Sequence, residues 1–151
     1  MPGDTEDIEL ARSLLENEQW NLVIVREGRV LLSSKERGVA PLFRAIQSIG
    51  TGLHNAAMAD RIVGSAVAML CLHARITSVY AGIASQAALD MLRGRGVTAS
   101  SKDIVPYISN SDGTDLCPFE KLASNAKKPA QLLSDLESMF GDNKDDGERF
   151  P

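Results

Sequence analysis

The sequence predicts an α/β domain with a mixed sheet that opens on a β-hairpin. Three observations predict it. Two β-rich segments, residues 20–25 and 29–33, flank the turn signal Arg26-Glu27-Gly28, the pattern of a hairpin. Between residues 76 and 108, strand-like and helix-like segments alternate, which implies parallel pairing and right-handed crossovers. The length, 151 residues, suits one domain that buries roughly 70 % of the surface its unfolded chain exposes.

The elements follow in order. Residues 6–19 read as an amphipathic helix, with Ile8, Leu10, Ala11, Leu14 and Leu15 at near-helical spacing. Thr5 is its expected N-cap, and the early acids suit the positive end of the helix dipole. The hairpin comes next, its solvent side carrying Arg26, Glu27 and Arg29. Ser33-Ser34-Lys35-Glu36-Arg37-Gly38 is a polar loop. Pro41 fits the first turn of a helix through Phe43, Ile46 and Ile49, ended by Gly50-Thr51-Gly52. Residues 53–57 read as a short strand or an extended link.

The run of residues 59–72 is apolar on nearly every face and reads as a buried helix against the sheet. Residues 76–84 read as a strand, and residues 85–93 as a helix stopped by Gly94 and Gly96. Residues 97–99 and 104–108 are two further extended pieces. A turn-rich loop, Ser109-Asn110-Ser111-Asp112-Gly113-Thr114-Asp115, leads to a helix opened by Leu116-Cys117-Pro118-Phe119-Glu120. The last helix spans about residues 129–140. Residues 6–140 thus form the expected domain, and residues 141–151 an acidic tail read as disordered.

Composition narrows the function classes. A hydrophobic share of 44 % and a charged share of 24 % are ordinary for a globular chain. Net charge is −4 with no basic stripe, so nucleic acid is not an expected partner. The two cysteines, Cys71 and Cys117, are too few for a disulfide scaffold and read as free thiols of a reducing compartment. The acidic start lacks the pattern of a secretory signal, and the longest apolar run is far short of a membrane span. The expected location is cytoplasmic, with no membrane partner.

Four pieces carry a family resemblance. They are Leu22-Val23-Ile24-Val25-Arg26-Glu27-Gly28-Arg29-Val30-Leu31 with Ser33-Ser34-Lys35-Glu36-Arg37-Gly38; Ala59-Asp60-Arg61-Ile62-Val63-Gly64; Val105-Pro106-Tyr107-Ile108; and Leu116-Cys117-Pro118-Phe119-Glu120. In this order and spacing, over roughly residues 8–135, the chain resembles the DUF1893 family. The resemblance implies a cytidine-deaminase-like, three-layer α/β/α fold and carries no reaction to transfer. True deaminases hold zinc with an H-x-E segment on one helix and P-C-x-x-C on the next. Here the corresponding places are Asp60-Arg61-Ile62 and Ser85-Gln86-Ala87-Ala88, which offer no His, Cys or Glu. A zinc-activated water lacks its ligands, so neither metal nor other cofactor is expected.

Asp60 and Arg61 stand directly before the apolar run. Asp60 reads as a helix cap or as an acid/base group; Arg61, a cation at the positive end of a helix, is a candidate to hold phosphate or carboxylate by a forked contact. Gly64 and Ser65 would allow close approach of a ligand, and Gly64 equally suits tight packing. Cys117 precedes Pro118 and Glu120 as an N-cap, where the dipole lowers a thiol's pKa; it reads as a nucleophile or as a plain cap. Ser34 and Lys35 follow the hairpin as candidate anion contacts or as a solvated turn, and Asn110, Asp112 and Asp115 as polar contacts or turn formers. His54, Cys71 and His73 make poor metal ligands, because Cys71 and His73 fall on different faces of one helix.

Three functions remain open on the sequence. The first is a binding protein for a nucleoside- or nucleotide-like small molecule, in a deaminase-like pocket without zinc. The second is an enzyme using Cys117, with Asp60, on a related substrate. The third is a non-catalytic interaction protein. The apolar helix faces leave a homodimer open.

Overall fold

The computed structural model describes residues 2–36, 38–108 and 128–141. Its elements are α1 (Pro2–Asn17), β1 (Leu22–Arg26), β2 (Arg29–Ser34), α2 (Ala40–Ile49) running into a 3-10 turn (Gly50–Leu53), β3 (Ala57–Val63), α3 (Ser65–Ala74), β4 (Ser78–Ser85), α4 (Gln86–Gly94), β5 (Thr98–Val105) and α5 (Pro129–Gly141). The five strands form one open sheet in the order β2-β1-β3-β4-β5. β1 runs antiparallel to β2 and β3, while β3, β4 and β5 are parallel. This is the mixed α/β sheet that the alternation of patterns predicts.

Two apolar clusters show how the layers form. On one face α1 lays Ala11 and Leu15 on Val23, Val25, Ala59 and Tyr80. On the other, residues of α2, α3, α4 and α5 pack over Leu22, Ile24, Met58, Val79 and Ala81. The strand period of two explains the split, since successive residues of β1 and β3 point to opposite faces. The result is helix, sheet and helix layers, with the larger core under α2 to α5.

The hairpin turn has φ +52° at Glu27 and +76° at Gly28. Two successive positive angles make the turn whose twist matches its flanking strands. Glycine enters that region freely, whereas glutamate is strained there by roughly 1–2 kcal/mol. Asp7 of α1 offsets the strain. Its two carboxylate oxygens accept the amides of Glu27 and Gly28 at 2.8 and 2.9 Å.

Several boundaries differ from the sequence reading. The apolar run of residues 59–72 is not one helix: it contains most of β3, a break at Gly64 and most of α3. Gly64 is extended, with φ −102° and ψ −173°, so the chain leaves the sheet there and turns up into the helix. Continuous apolar character hides such a boundary, because a buried parallel strand and a buried helix both lack polar faces. The two short pieces after α4 are one edge strand, β5, in which Ser100, Lys102 and Asp103 are exposed. Edge strands tolerate charges that a central strand would exclude. Residues 50–53 form a 3-10 turn, and Thr5 lies inside α1, which begins at Pro2. Among the described residues, no helix is long and apolar enough to cross a membrane.

Candidate functional site

The sheet carries an acid at its centre. Asp60 sits on β3, between Leu22 of β1 and Ala81 of β4 in register. Ser34 of β2 and Ser101 of β5 complete that row across all five strands. Asp60 alternates in phase with Met58 and so shares the face covered by α3. It is 8 % exposed. One carboxylate oxygen accepts the Ile62 amide at 3.3 Å, a long bond. Burial pushes the carboxyl up to about 7, and the amides of Ile62 and Arg61 draw it back only in part. A carboxyl that exchanges its proton near neutral pH is suited to general acid/base work.

Cys71 of α3 lies above the same face. Its Sγ donates to Met58 Sδ at 3.7 Å. Burial pushes this thiol far up, and the neighbouring Asp60 adds to the shift. Without thiolate character it is an inert core group.

Arg61 follows Asp60 on the strand and points the other way. Its Nε donates to Trp20 O at 3.0 Å and its Nη2 to Leu15 O at 2.8 Å. Leu15 belongs to the last turn of α1, so the guanidinium caps the negative end of that helix. Placing these residues at a helix N-terminus is therefore corrected: Asp60 caps no helix, and Arg61 serves a C-terminus. Beside them, a Cβ on Gly82 would lie 2.8 Å from the Arg61 carbonyl oxygen, so β3 and β4 meet there only with glycine.

The other predicted residues divide between the layers. Ser34 lies in the Asp60 row, two strands away, and its hydroxyl accepts the Glu36 amide at 3.1 Å. The Lys35 ammonium stands 5.3 Å from the centroid of Trp20, on the α1 side, and Trp20 accepts from Arg61 through its carbonyl. Gly64 is buried at the α3 N-cap, and its carbonyl accepts Ala68 N at 3.0 Å. Ser65, half-buried, opens α3. The structure thus groups Asp60, Ser34, Gly64 and Ser65 with the α3 layer, and Arg61 and Lys35 with the α1 layer.

Cys117, Asn110, Asp112 and Asp115, the helix expected to open at residue 116, and the tail from residue 142 lie outside the described residues. His54 is half-buried, Cys71 buried and His73 exposed, so the three face different surroundings. Among the described residues, no three His, Cys, Asp or Glu side chains gather as a metal would need.

Sequence reasoning missed Asp7. Its partners lie 20 and 21 residues away, and one acid among the several in α1 carries no local sign of such a bond. Ser85, which caps α4 by accepting Ala88 N at 3.2 Å, follows the usual N-cap chemistry.

The comparisons with known proteins agree on family and fold. A family model described as TM1506, a domain of unknown function (DUF1893), matches residues 10–140. The chain belongs to the DUF1893 family. A crystal structure of a DUF1893 family protein (TM1506) from Thermotoga maritima is similar, with a TM-score of 0.80 at 25 % identity. The match covers 89 % of this chain and 90 % of that one. No curated protein matches the chain.

Proposed function

We propose that this DUF1893 protein binds a nucleoside- or nucleotide-like small molecule at the carboxyl ends of its central strands, in a cytidine-deaminase-like layout that works without zinc. The observation that carries the reading is Asp60, a buried carboxyl at the middle of the sheet whose proton is exchangeable near pH 7. Open α/β sheets bind ligands outside the carboxyl ends of their parallel strands, and β3 runs from Asp60 at its midpoint to that end, then through Gly64 into α3. The strand order and the two strand–helix units that follow the hairpin support the deaminase-like layout. With Arg61 and Lys35 engaged around Trp20, the ligand's ring rather than its phosphate meets the site. The net charge of −4 favours a small ligand over nucleic acid, and a cytoplasmic setting fits the buried free thiol of Cys71.

Mass spectrometry of the purified protein, first native and then denatured, tests this. The expected result is added mass of nucleoside class in the native spectrum, lost on denaturation. A chain that stays bare after incubation with nucleosides and nucleoside monophosphates overturns the reading. One observation favours a second reading, an enzyme using Cys117 with Asp60: the carboxyl has the proton affinity of a general base at neutral pH. Mass that survives denaturation and maps to Cys117 would support it. A bare chain with a concentration-dependent dimer would instead favour an interaction protein, for which the exposed pair Ile62 and Ile83, register neighbours on β3 and β4, offers a surface.

A further inference from the structure

We propose that the free edge of β2 pairs with β2 of a second copy of this chain, antiparallel about a two-fold axis near Leu31 and Leu32, so that two five-stranded sheets join into one. The proposal starts from a difference between the two edges of the sheet, β2 and β5. β5 is guarded against a further strand. Two of its carbonyls already accept side-chain donors. Arg93 of α4 donates to Ala99 O from Nε at 3.1 Å and from Nη2 at 2.9 Å, and Ser101 Oγ donates to Asp103 O at 2.5 Å. Lys102 and Asp103 add exposed charges of the kind that keep an edge from pairing.

β2 has none of these guards. Among the described residues β1 is its only strand partner, and no side-chain donor takes a carbonyl of Arg29–Ser34. The strand contains no proline, and its single charge is at its first residue, Arg29. Val30 is 46 % exposed. Leu31 is the extra residue where the register to β1 shifts; it adds twist to the edge and carries no charge. Such an edge offers a row of N–H and C=O groups, and an extended backbone is what satisfies them.

Charge selects a second copy as that backbone. The turn end of β2 carries Glu27 and Arg29, and the other end runs into Lys35 and Glu36, all exposed. Antiparallel pairing lays one end on the other. Glu27 then comes opposite Lys35 of the second copy, and Arg29 beside its Glu36, which already accepts Arg44 within its own chain. Each contact occurs twice about the axis, and such a self-complementary interface closes at two copies. A partner strand charged with one sign throughout would meet a like charge at both ends. β1 separates this edge from Asp60 on β3, so the pairing and the ligand reading stand or fall separately.

Six strand residues make a small interface, so the dimer is expected to dissociate at about 10 µM. Sedimentation equilibrium of the full chain from about 1 to 300 µM reads this, with urea unfolding to show that each variant is folded. Val30→Lys puts a charge on the exposed edge and is expected to weaken the dimer at least about tenfold. Lys35→Glu sets acid against acid and is expected to weaken it about threefold. Adding Glu27→Lys to Lys35→Glu is expected to restore it, a rescue that a loss of folding could not produce. A chain that stays monomeric at the highest concentration overturns the proposal and leaves the edge to an extended segment of another protein. A dimer that Val30→Lys leaves unchanged, or that the paired change fails to restore, overturns it too and places the contact elsewhere.

Discussion

Two carboxyls are buried among the described residues, and they are built differently. Asp7, 5 % exposed, joins α1 to the hairpin through two short bonds, one to each oxygen. Among the described residues Asp60, 8 % exposed, takes amides of its own strand, that of Ile62 at a long 3.3 Å. The Asp7 carboxylate is paired by the backbone amides of the hairpin turn. Among the described residues no cation pairs with Asp60, and burial raises its proton affinity to the neutral range. One acid fastens the fold; the other exchanges a proton near neutral pH.

The largest expected effect is on the pH dependence of stability. The folded Asp60 carboxyl titrates at about 7, above the 3.8 of a free side chain. Its contribution is therefore fully present below about pH 4 and is lost as pH rises through 7. Over about three pH units at ~1.36 kcal/mol each, the loss is on the order of 4 kcal/mol. Asp60→Asn, followed by urea unfolding from pH 4.5 to 8.5, should gain stability over the native chain progressively up to pH 7 and then hold its lead. Two curves that stay parallel would end the contrast between the acids.

Asp7→Ala comes next. It strips two charge-assisted bonds from a strained turn, and about 3 kcal/mol should be lost in urea at pH 7. A loss below about 1 kcal/mol would mean that the turn holds itself. Arg61→Met tests whether Asp60 has a hidden counter-ion. Uncapping α1 should cost about 2 kcal/mol and leave the Asp60 titration where it is. A titration midpoint shifted by one unit or more, followed by carbon-13 NMR of the carboxyl, would show that the two charges do communicate. The smallest effect is expected from a third, exposed acid. Tyr80 Oη donates to Glu16 Oε2 at 3.3 Å, and Tyr80→Phe should cost about 0.5 kcal/mol by thermal unfolding.

How much of this was legible in the sequence depends on whether a signal is local. The hairpin was plain from its β-rich arms and the Glu27-Gly28 turn, and α2 from Pro41 and its apolar spacing. The helix α4, Gln86–Gly94, lies within one residue of the expected span at each end. By contrast, β3 is concealed inside a run that is apolar on nearly every face, which carries Asp60 and Arg61 onto the wrong element. Their pairing in sequence was a real signal with a different meaning. On a helix they would be neighbours at one end; on a strand they are separated by the sheet. The role of Asp7 and the anchoring of Arg61 on Leu15 span 20 to 46 residues, and no periodicity encodes a bond over that distance.

The alternation of Asp60 and Arg61 makes the sheet a partition. Two opposite charges on adjacent residues would ordinarily neutralise each other, yet one layer of backbone keeps them in separate compartments. The α1 side can therefore be rebuilt, with a new helix or a new hairpin anchor, without retuning the acid on the far side. The acid can likewise be altered without loosening α1. Each face of the sheet thus sets the surroundings of its own charged residue, Arg61 toward α1 and Asp60 under α3.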